Sequence, residues 1–422
     1  MLIKERIKNI RKSKDGRTLI ANFGYLSLLQ VAGYIFPLIT IPYLARVIGV
    51  ESFGKIAFAS AVVVWFQTVA DWGFNFTATR DVAKNRDNKE KVSEIFSNVL
   101  WARILLMLFS FLLLLIVLAL IPKFRENSTI ILITFLMVPG SIMFPDWFFQ
   151  AMERMRYITL LNLLSKTLFT IAIFVFIKQK SDYILQPLFT SLGYIVSGVI
   201  AMYFILGRWR IQIKQPKIKP ILQTIKGSTD VFINNLMPNL YNSFSTMLLG
   251  FYGGSISNGK LDAGGKFVGI FQQFMSVISR AFFPFLSRRI DKHNLYVKIN
   301  LWLSITLSLM LFFFAPLLIK LFFTPEFYDS IWVLRIMSIS IFFLALSNIY
   351  GTNYMIIQGH ERQLRNITFV SSLIGFALSF PLIYFFDYIG AAITVTMTRG
   401  ILGTSIMWRA RTIKIKGYRP LS

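Results

Sequence analysis

Residues 56–86 read IAFASAVVVWFQTVADWGFNFTATRDVAKNR, and how they are read decides the fold. Fifteen residues without a charge, 56–70, run directly into Asp71, then Trp72, Gly73 and a polar stretch ending at Arg80. An uncharged run of this kind suits a helix in lipid, where roughly 20 apolar residues cross about 30 Å of hydrocarbon. A carboxylate at its end costs roughly 2.5 to 3.5 kcal/mol on insertion scales, and its short stem cannot reach far toward water. Asp71 must therefore face protein or a wet cavity. Trp72, Asn75, Thr77 and Thr79 continue a polar face toward Arg80.

The same pattern recurs outward from that segment. Residues 18–45, 104–121, 127–145, 183–207, 231–259, 299–319, 336–360 and 366–386 also lack Asp, Glu, Lys and Arg, while 157–177, 264–287 and 389–408 are apolar runs interrupted by embedded cations. Together these predict an all-α polytopic membrane protein of about twelve spans. Composition agrees, with 55% hydrophobic residues, 15% charged residues and a mean hydropathy of +0.60. A closed barrel needs alternating segments of about ten residues, and runs such as IVLALIP (116–122) do not alternate. The basic N-terminus precedes a run too long for a signal-peptide core and is expected to be retained. There is no cysteine, and His293 and His360 are the only histidines. Disulfides and thiolate metal sites are thereby excluded, and neither redox chemistry nor a cofactor is expected.

The formal charge of +26 raises nucleic acid as a partner, and the distribution of the 45 Lys and Arg removes it. With the N-terminus cytoplasmic, 31 of them fall in cytoplasmic segments, eight in the opposite loops and six inside spans. Such a bias orients helices during insertion. Both termini are predicted to be cytoplasmic, with anionic headgroups neighbouring the surplus charge. Within the chain, QAMERMRYIT (150–159) resembles QGHERQLRNIT (358–368), each carrying Q-x-x-E-R, a further Arg and Ile-Thr. Two readings stay open: a shared preference for basic loops, or duplication into two six-helix lobes related as parallel repeats. On the second, residues 1–206 form the N-terminal lobe, 207–228 a basic linker and 229–422 the C-terminal lobe with its basic tail.

The six embedded cations are Arg46, Arg103, Lys166, Arg280, Arg335 and Arg399. Arg46 follows Pro37 and Pro42, whose bends free backbone carbonyls that need protein or water. It either faces a cavity or snorkels to the interface near Gly49. Arg280 lies in a stripe with Gln272, Gln273, Ser276 and Ser279, which favours a cavity. Lys166, Arg335 and Arg399 serve either a cavity or helix packing. Asp71 is either fixed in a pair with a cation such as Arg103 or functional in its own right. Asp230 precedes Asn234, Asn235, Asn239 and Asn242, whose spacings of three and four put them on one helix side facing water or sugar hydroxyls. Asp146, beside Trp147, reads as interfacial. Six cations against two or three carboxylates predict a cavity that attracts an anion, and arginine's planar fork suits phosphate.

GSISNGKL (254–261) matches the first part of a P-loop but has Leu where magnesium needs Ser or Thr, and it falls in an expected extracytoplasmic turn. The usual hydrolase and metalloenzyme motifs are missing, so no enzyme is predicted. Energy must come from an ion gradient or from downstream consumption.

PYLARVIGVESFGKIAFA (42–59) followed by ADWGFNFTATRDVA (70–83) resembles the first two helices and connecting turn of the Wzx-type O-antigen flippases, the polysaccharide branch of the multidrug/oligosaccharidyl-lipid/polysaccharide exporter superfamily. FFPFLSRR (282–289) and the QGHER loop fit as well. The resemblance covers essentially the whole chain and implies two lobes in a V around a central cavity. It further implies a bacterial inner-membrane flippase that moves undecaprenyl-diphosphate-linked oligosaccharide to the periplasmic leaflet by alternating access, with a polysaccharide polymerase and a chain-length regulator as possible partners. On that reading Arg46, Arg280, Arg103, Lys166, Arg335, Arg399, Asn75 and Asn235 contact substrate, and Asp71 and Asp230 couple protons or gate. A capsule or exopolysaccharide flippase is chemically almost the same machine. A drug or metabolite antiporter is disfavoured by the excess of arginine.

Overall fold

The structure, a computed structural model, describes residues 14–417, and every regular element among them is helical. Eight helical segments among the described residues are long and apolar enough to cross a membrane. Two of these, 58 and 53 residues long, hold more than one crossing. The first breaks at Gly49 (φ 73°, ψ 175°) and the second at Asp387 (φ 51°, ψ −132°). The segments holding the expected seventh and eighth spans, 218–252 and 254–288, are outside the eight; their Asp, Asn and Gln side chains dilute the apolar signal.

The chain divides into two compact units, Met1–Val47 with Val63–Asn235, and Ile48–Val62 with Leu236–Ser422. In the first unit α1 (Lys14–Asp71) ends where Trp72 and Gly73 both take positive φ, after which α2 (Phe74–Lys84) sets off in a new direction. A Cβ on Gly73 would lie 2.7 Å from the Val231 side chain of α9 (Ile218–Leu236), so glycine is required for conformation and for space alike. Between them, α3 (Lys89–Leu120) is capped by Asn88, whose Oδ1 accepts from the Lys91 amide at 3.0 Å. One side of α3, through Phe96, Val99, Ala102, Leu106 and Leu114, is buried, while Leu108, Phe109, Leu112 and Ile116 are exposed. A helix apolar on both sides packs one face on protein and offers the other to acyl chains.

Further helices of this unit are α4 (Ser128–Phe135), α5 (Met137–Met143), α6 (Asp146–Ala151), α7 (Met155–Phe176) and α8 (Leu185–Met202), the last packed against α5 and α7, with a short turn of helix over Pro122–Glu126 before α4. Residues 209–217 are irregular but held, since Gln212 and Lys214 donate their amides to Ser93 and Ser97 and Trp101 Nε1 donates to the Lys214 carbonyl.

The second unit contains α10 (Ser243–Tyr252), α11 (Gly254–Arg288), α12 (His293–Phe322), α13 (Ser330–Leu346), a π-helical segment Ser347–Ile356 and α14 (Glu361–Gly417). Residues 48–62 of α1 belong to it. The Val50 amide donates to Glu326 at 3.3 Å, and Phe53 packs edge-on against Phe323 and Phe327. A Cβ on Gly54 would fall 1.7 Å from the Ser255 carbonyl, so this contact is backbone on backbone. Residues 254–261, expected in a turn, form the first turns of α11 instead, with Gly259 seated on the Val50 carbonyl. Small residues there serve helix contact and make no phosphate cradle.

The two similar loops close alike but out of register. The amides of Met152, Glu153 and Arg154 donate to the carbonyls of Phe148, Gln150 and Phe149, and those of Gln358, Gly359 and His360 donate to Tyr354, Ile356 and Met355. Glu153 and Gly359 take the positive φ of a Schellman-type ending. Glu153 thus corresponds in geometry to Gly359, whereas the motif pairs it with Glu361 two residues on. The turn repeats; the Q-x-x-E-R residues do not occupy equal positions in it.

Candidate functional site

In the first unit a cavity of about 230 Å³ is lined by Asp71, Asn75, Arg103, Asp146, Asn162 and Tyr194 among others. Asp71 ends α1, where the helix dipole disfavours a negative charge. Arg103, from the middle of α3, supplies the missing counter-charge through a hydrogen-bonded ion pair, Nη2 to Asp71 Oδ1. The two side chains are unequally enclosed, 7% exposed for Arg103 and 37% for Asp71, and Arg103 Nε is buried without a partner. Asp146 lies within electrostatic range of both. Its Oδ1 accepts from the Trp147 amide at 2.7 Å.

Asp146 and Trp147 correct the interfacial reading. Trp147 is buried, because Phe144 and Pro145 interrupt the apolar run and turn the first residue of α6 into the unit. The cavity therefore holds two carboxylates around one guanidinium. Sequence reasoning read Asp146 as interfacial and left it out of the site, although a proline directly before an embedded carboxylate signals a broken helix with its polar end turned inward.

The polar face expected from Trp72 to Arg80 is divided. Asn75 lines the cavity. Trp72 stacks on Phe232 (3.8 Å between centroids, 3° between planes) and donates Nε1 to the Ile225 carbonyl at 3.1 Å, and Thr77 shares a 2.7 Å hydrogen bond with Ser228. These contacts fasten α9 to the turn and so position Asp71. Lys166 lines an adjoining cavity of about 140 Å³, which has Phe144, Asn162 and Tyr194 in common with the first. Its ammonium would stand 3.7 Å from a Cβ on Gly33 of α1. Asp230 is exposed on α9. Asn235 is half-buried at its end, where Met237–Leu240 form a 3₁₀ turn containing Pro238. That turn separates Asp230, Asn234 and Asn235 from Asn242, so the expected single asparagine-lined side does not exist. Arg46 is exposed close to the break at Gly49.

In the second unit Arg399 of α14 is buried; its guanidinium donates to Ser340 Oγ at 2.9 Å, Gln272 Oε1 at 3.2 Å and Asn242 Oδ1 at 3.3 Å and also meets the Tyr241 side chain, with Nε unpartnered. Gln272 belongs to the stripe on α11 noticed in the sequence; Asn242 and Ser340 as ligands of Arg399 were not foreseen. Arg280, two turns beyond Gln272, is exposed. Arg335 stacks against Phe312 and Trp332, with its guanidinium 5.4 and 5.1 Å from the ring centroids, and Trp332 is itself exposed. Of the six embedded cations, Arg103 alone is ion-paired to a carboxylate among the described residues.

Long apolar helices, some of them broken, with charged and amide side chains enclosed among them define a polytopic all-helical membrane protein. The family model described as "Polysaccharide biosynthesis protein" matches residues 19–290, and the chain belongs to that family. It is 29% identical over 406 residues to the "Putative O-antigen transporter" of Escherichia coli (strain K12), covering 94% of this chain and 98% of the relative. It is 26% identical over 394 residues to the protein of the same name from Shigella dysenteriae, covering 90% and 97%. In fold it is similar to the lipid II flippase MurJ in an inward closed conformation (TM-score 0.73, 15% identity, 91% of this chain and 87% of that one). It is likewise similar to an inward-facing multidrug resistance MATE family transporter of the MOP superfamily (TM-score 0.71, 13% identity, 95% and 100%).

Proposed function

We propose that this chain is a flippase for undecaprenyl-diphosphate-linked O-antigen units, carrying them from the cytoplasmic to the periplasmic leaflet of a bacterial inner membrane by alternating access of two six-helix lobes. Family membership and the names of its relatives support a polysaccharide transporter. The observation that carries the diphosphate is the state of the embedded cations: five of six lack a carboxylate partner among the described residues, leaving positive charge that a diphosphate can neutralise. Arg280 and Arg46, exposed, are the direct ligands in this reading, with Lys166, Arg399 and Arg335 contributing field. Asn75 and Asn235 meet sugar hydroxyls. Asp71 exchanges protons or resets the empty carrier, with Asp146 beside it and Asp230 as a second carboxylate. Both termini lie in the cytoplasm, and polymerase and chain-length regulator receive the product.

The test is complementation of a strain lacking its own O-antigen flippase, read as the ladder of surface lipopolysaccharide. Arg280→Ala abolishes the ladder and Arg280→Lys retains part of it. A full ladder from Arg280→Ala at normal expression would remove the diphosphate assignment.

A further inference from the structure

A second charged cavity, about 390 Å³ in volume, lies in the second unit and takes no part in the site described above. Its lining includes His293, Asn294 and Lys298 from the first turns of α12, Tyr350 and Tyr354 from the π-helical segment, and Arg411 near the end of α14. Among the described residues no carboxylate lines it. The chemistry is that of a phosphate site: the Lys298 and Arg411 cations and the Tyr350 phenol offer charge and hydrogen-bond donors to phosphate oxygens.

The wall is built to hold its shape. His293 is buried, its Nε2 3.0 Å from the Ile349 carbonyl, and its ring sits 5.0 Å from that of Tyr354. Behind the tyrosines, fully buried Asn353 donates to Ser279 at 2.6 Å and Tyr296 at 2.9 Å. A π-helix across ten residues is uncommon, and such widened turns concentrate at functional sites.

The flanks identify the depth. Leu295, beside the cavity on α12, is 58% exposed, and Trp408, one turn before Arg411, is 70% exposed. Exposed leucine and tryptophan next to a polar recess mark the level where acyl chains give way to headgroups. Basic pockets between helices at that level hold phosphorylated lipid headgroups.

We infer that Lys298, Arg411 and Tyr350 form a binding site for the phosphate group of a phosphodiester or phosphomonoester, separate from the transport cations and accessible from the membrane surface. An anionic phospholipid and a soluble phosphate compound share this chemistry. The exposed apolar flank favours the lipid. The inference stands whether or not the chain is a flippase.

The test uses the full chain purified in detergent and native mass spectrometry, with phosphatidylglycerol, phosphatidylethanolamine and inorganic phosphate as probes. One phosphatidylglycerol is expected to stay bound in preference to phosphatidylethanolamine. Lys298→Gln with Arg411→Gln weakens it about thirtyfold, from two cations near the surface, whereas Lys298→Arg with Arg411→Lys keeps it. Phosphatidylglycerol that resists inorganic phosphate assigns the site to lipid. Ready displacement assigns it to a soluble phosphate group. Both side chains are exposed, so an unchanged unfolding temperature controls for folding. Equal retention of every probe by the glutamine variant and the native protein overturns the site.

Discussion

Replacing Arg103 by methionine tests the cavity of the first unit most directly. Two unit charges about 4 Å apart attract by about 4 kcal/mol at an effective dielectric near 20. Asp71 is 37% exposed, so solvent screening reduces this to about 2 kcal/mol of pair coupling. The two partners should nevertheless differ sharply when removed singly. Arg103→Met leaves Asp71 and Asp146 facing one cavity without a cation, and loss of one partner of an enclosed pair costs about 3–5 kcal/mol. Asp71→Asn leaves an acceptor for the guanidinium and leaves Asp146 within its range, so its cost is about 1–2 kcal/mol. The assay is heat-induced unfolding in detergent at one fixed scan rate, followed by tryptophan fluorescence, because Trp147 lines the cavity and Trp72 adjoins Asp71. At about 1 °C per kcal/mol for a chain of this length, Arg103→Met lowers the midpoint by about 4 °C, and Asp71→Asn by about 1–2 °C. The double variant should be more stable than the sum of the single losses by about 2 kcal/mol. Equal losses from the two single variants, or strict additivity, would refute the picture of one guanidinium shared by two carboxylates.

Two further outcomes follow from the same physics. Gly73→Ala combines a φ of +77° with a Cβ 2.7 Å from Val231, so it should lower unfolding stability by about 2 kcal/mol or more, while Gly227→Ala, open within 4 Å, should be near neutral; equal effects would be contrary evidence. Arg399→Met strips a guanidinium from Asn242, Gln272, Ser340 and Tyr241 while filling its space, and should cost about 2–3 kcal/mol, less than Arg399→Ala, which adds a cavity; the comparison is read from unfolding midpoints.

Helix and lipid were legible because a long uncharged run has one cheap solution in a bilayer. Partnership was less so. That Asp71 must meet protein or water followed from its charge, and Arg103 was nameable as a candidate partner because it too is embedded. Asp146 escaped, since charge and neighbouring tryptophan suit an interfacial residue as well as an inward one; only the turn at Phe144 and Pro145 decides between them. The acceptors of Arg399 escaped for another reason. Asn242, Gln272 and Ser340 stand on three different helices, and their convergence is a property of packing that periodicity along any single helix does not carry. Asn239 and Asn242 misled in the opposite direction, because a spacing of three presupposes an unbroken helix and Pro238 ends it.

Several polar side chains of both units stand at helix interruptions, and the backbone there gives a physical reason. An α-helix that stops in lipid leaves as many as four unpaired carbonyls or amides at its end, and each costs several kcal/mol without a partner. Asp71 stands at the Trp72–Gly73 turn, Asp146 follows Pro145, Asn242 follows the turn at Pro238, and Asn353 lies inside the π-helical segment with its amide given to Ser279, Tyr296 and the Asn348 carbonyl. Asp387 repeats the pattern at the break in α14, where Ser257 donates to it at 2.6 Å and Gly253 must lack a Cβ to admit its other oxygen. A breaker followed or preceded within one turn by a carboxylate or amide is therefore a single device: it redirects the helix and holds polar groups at a depth where water alone could not keep them. Asp71, Asp146, Asn242 and Asp387 are placed by where their helices break, so a substitution that heals one of these breaks should displace the adjacent polar group even though its own identity is unchanged.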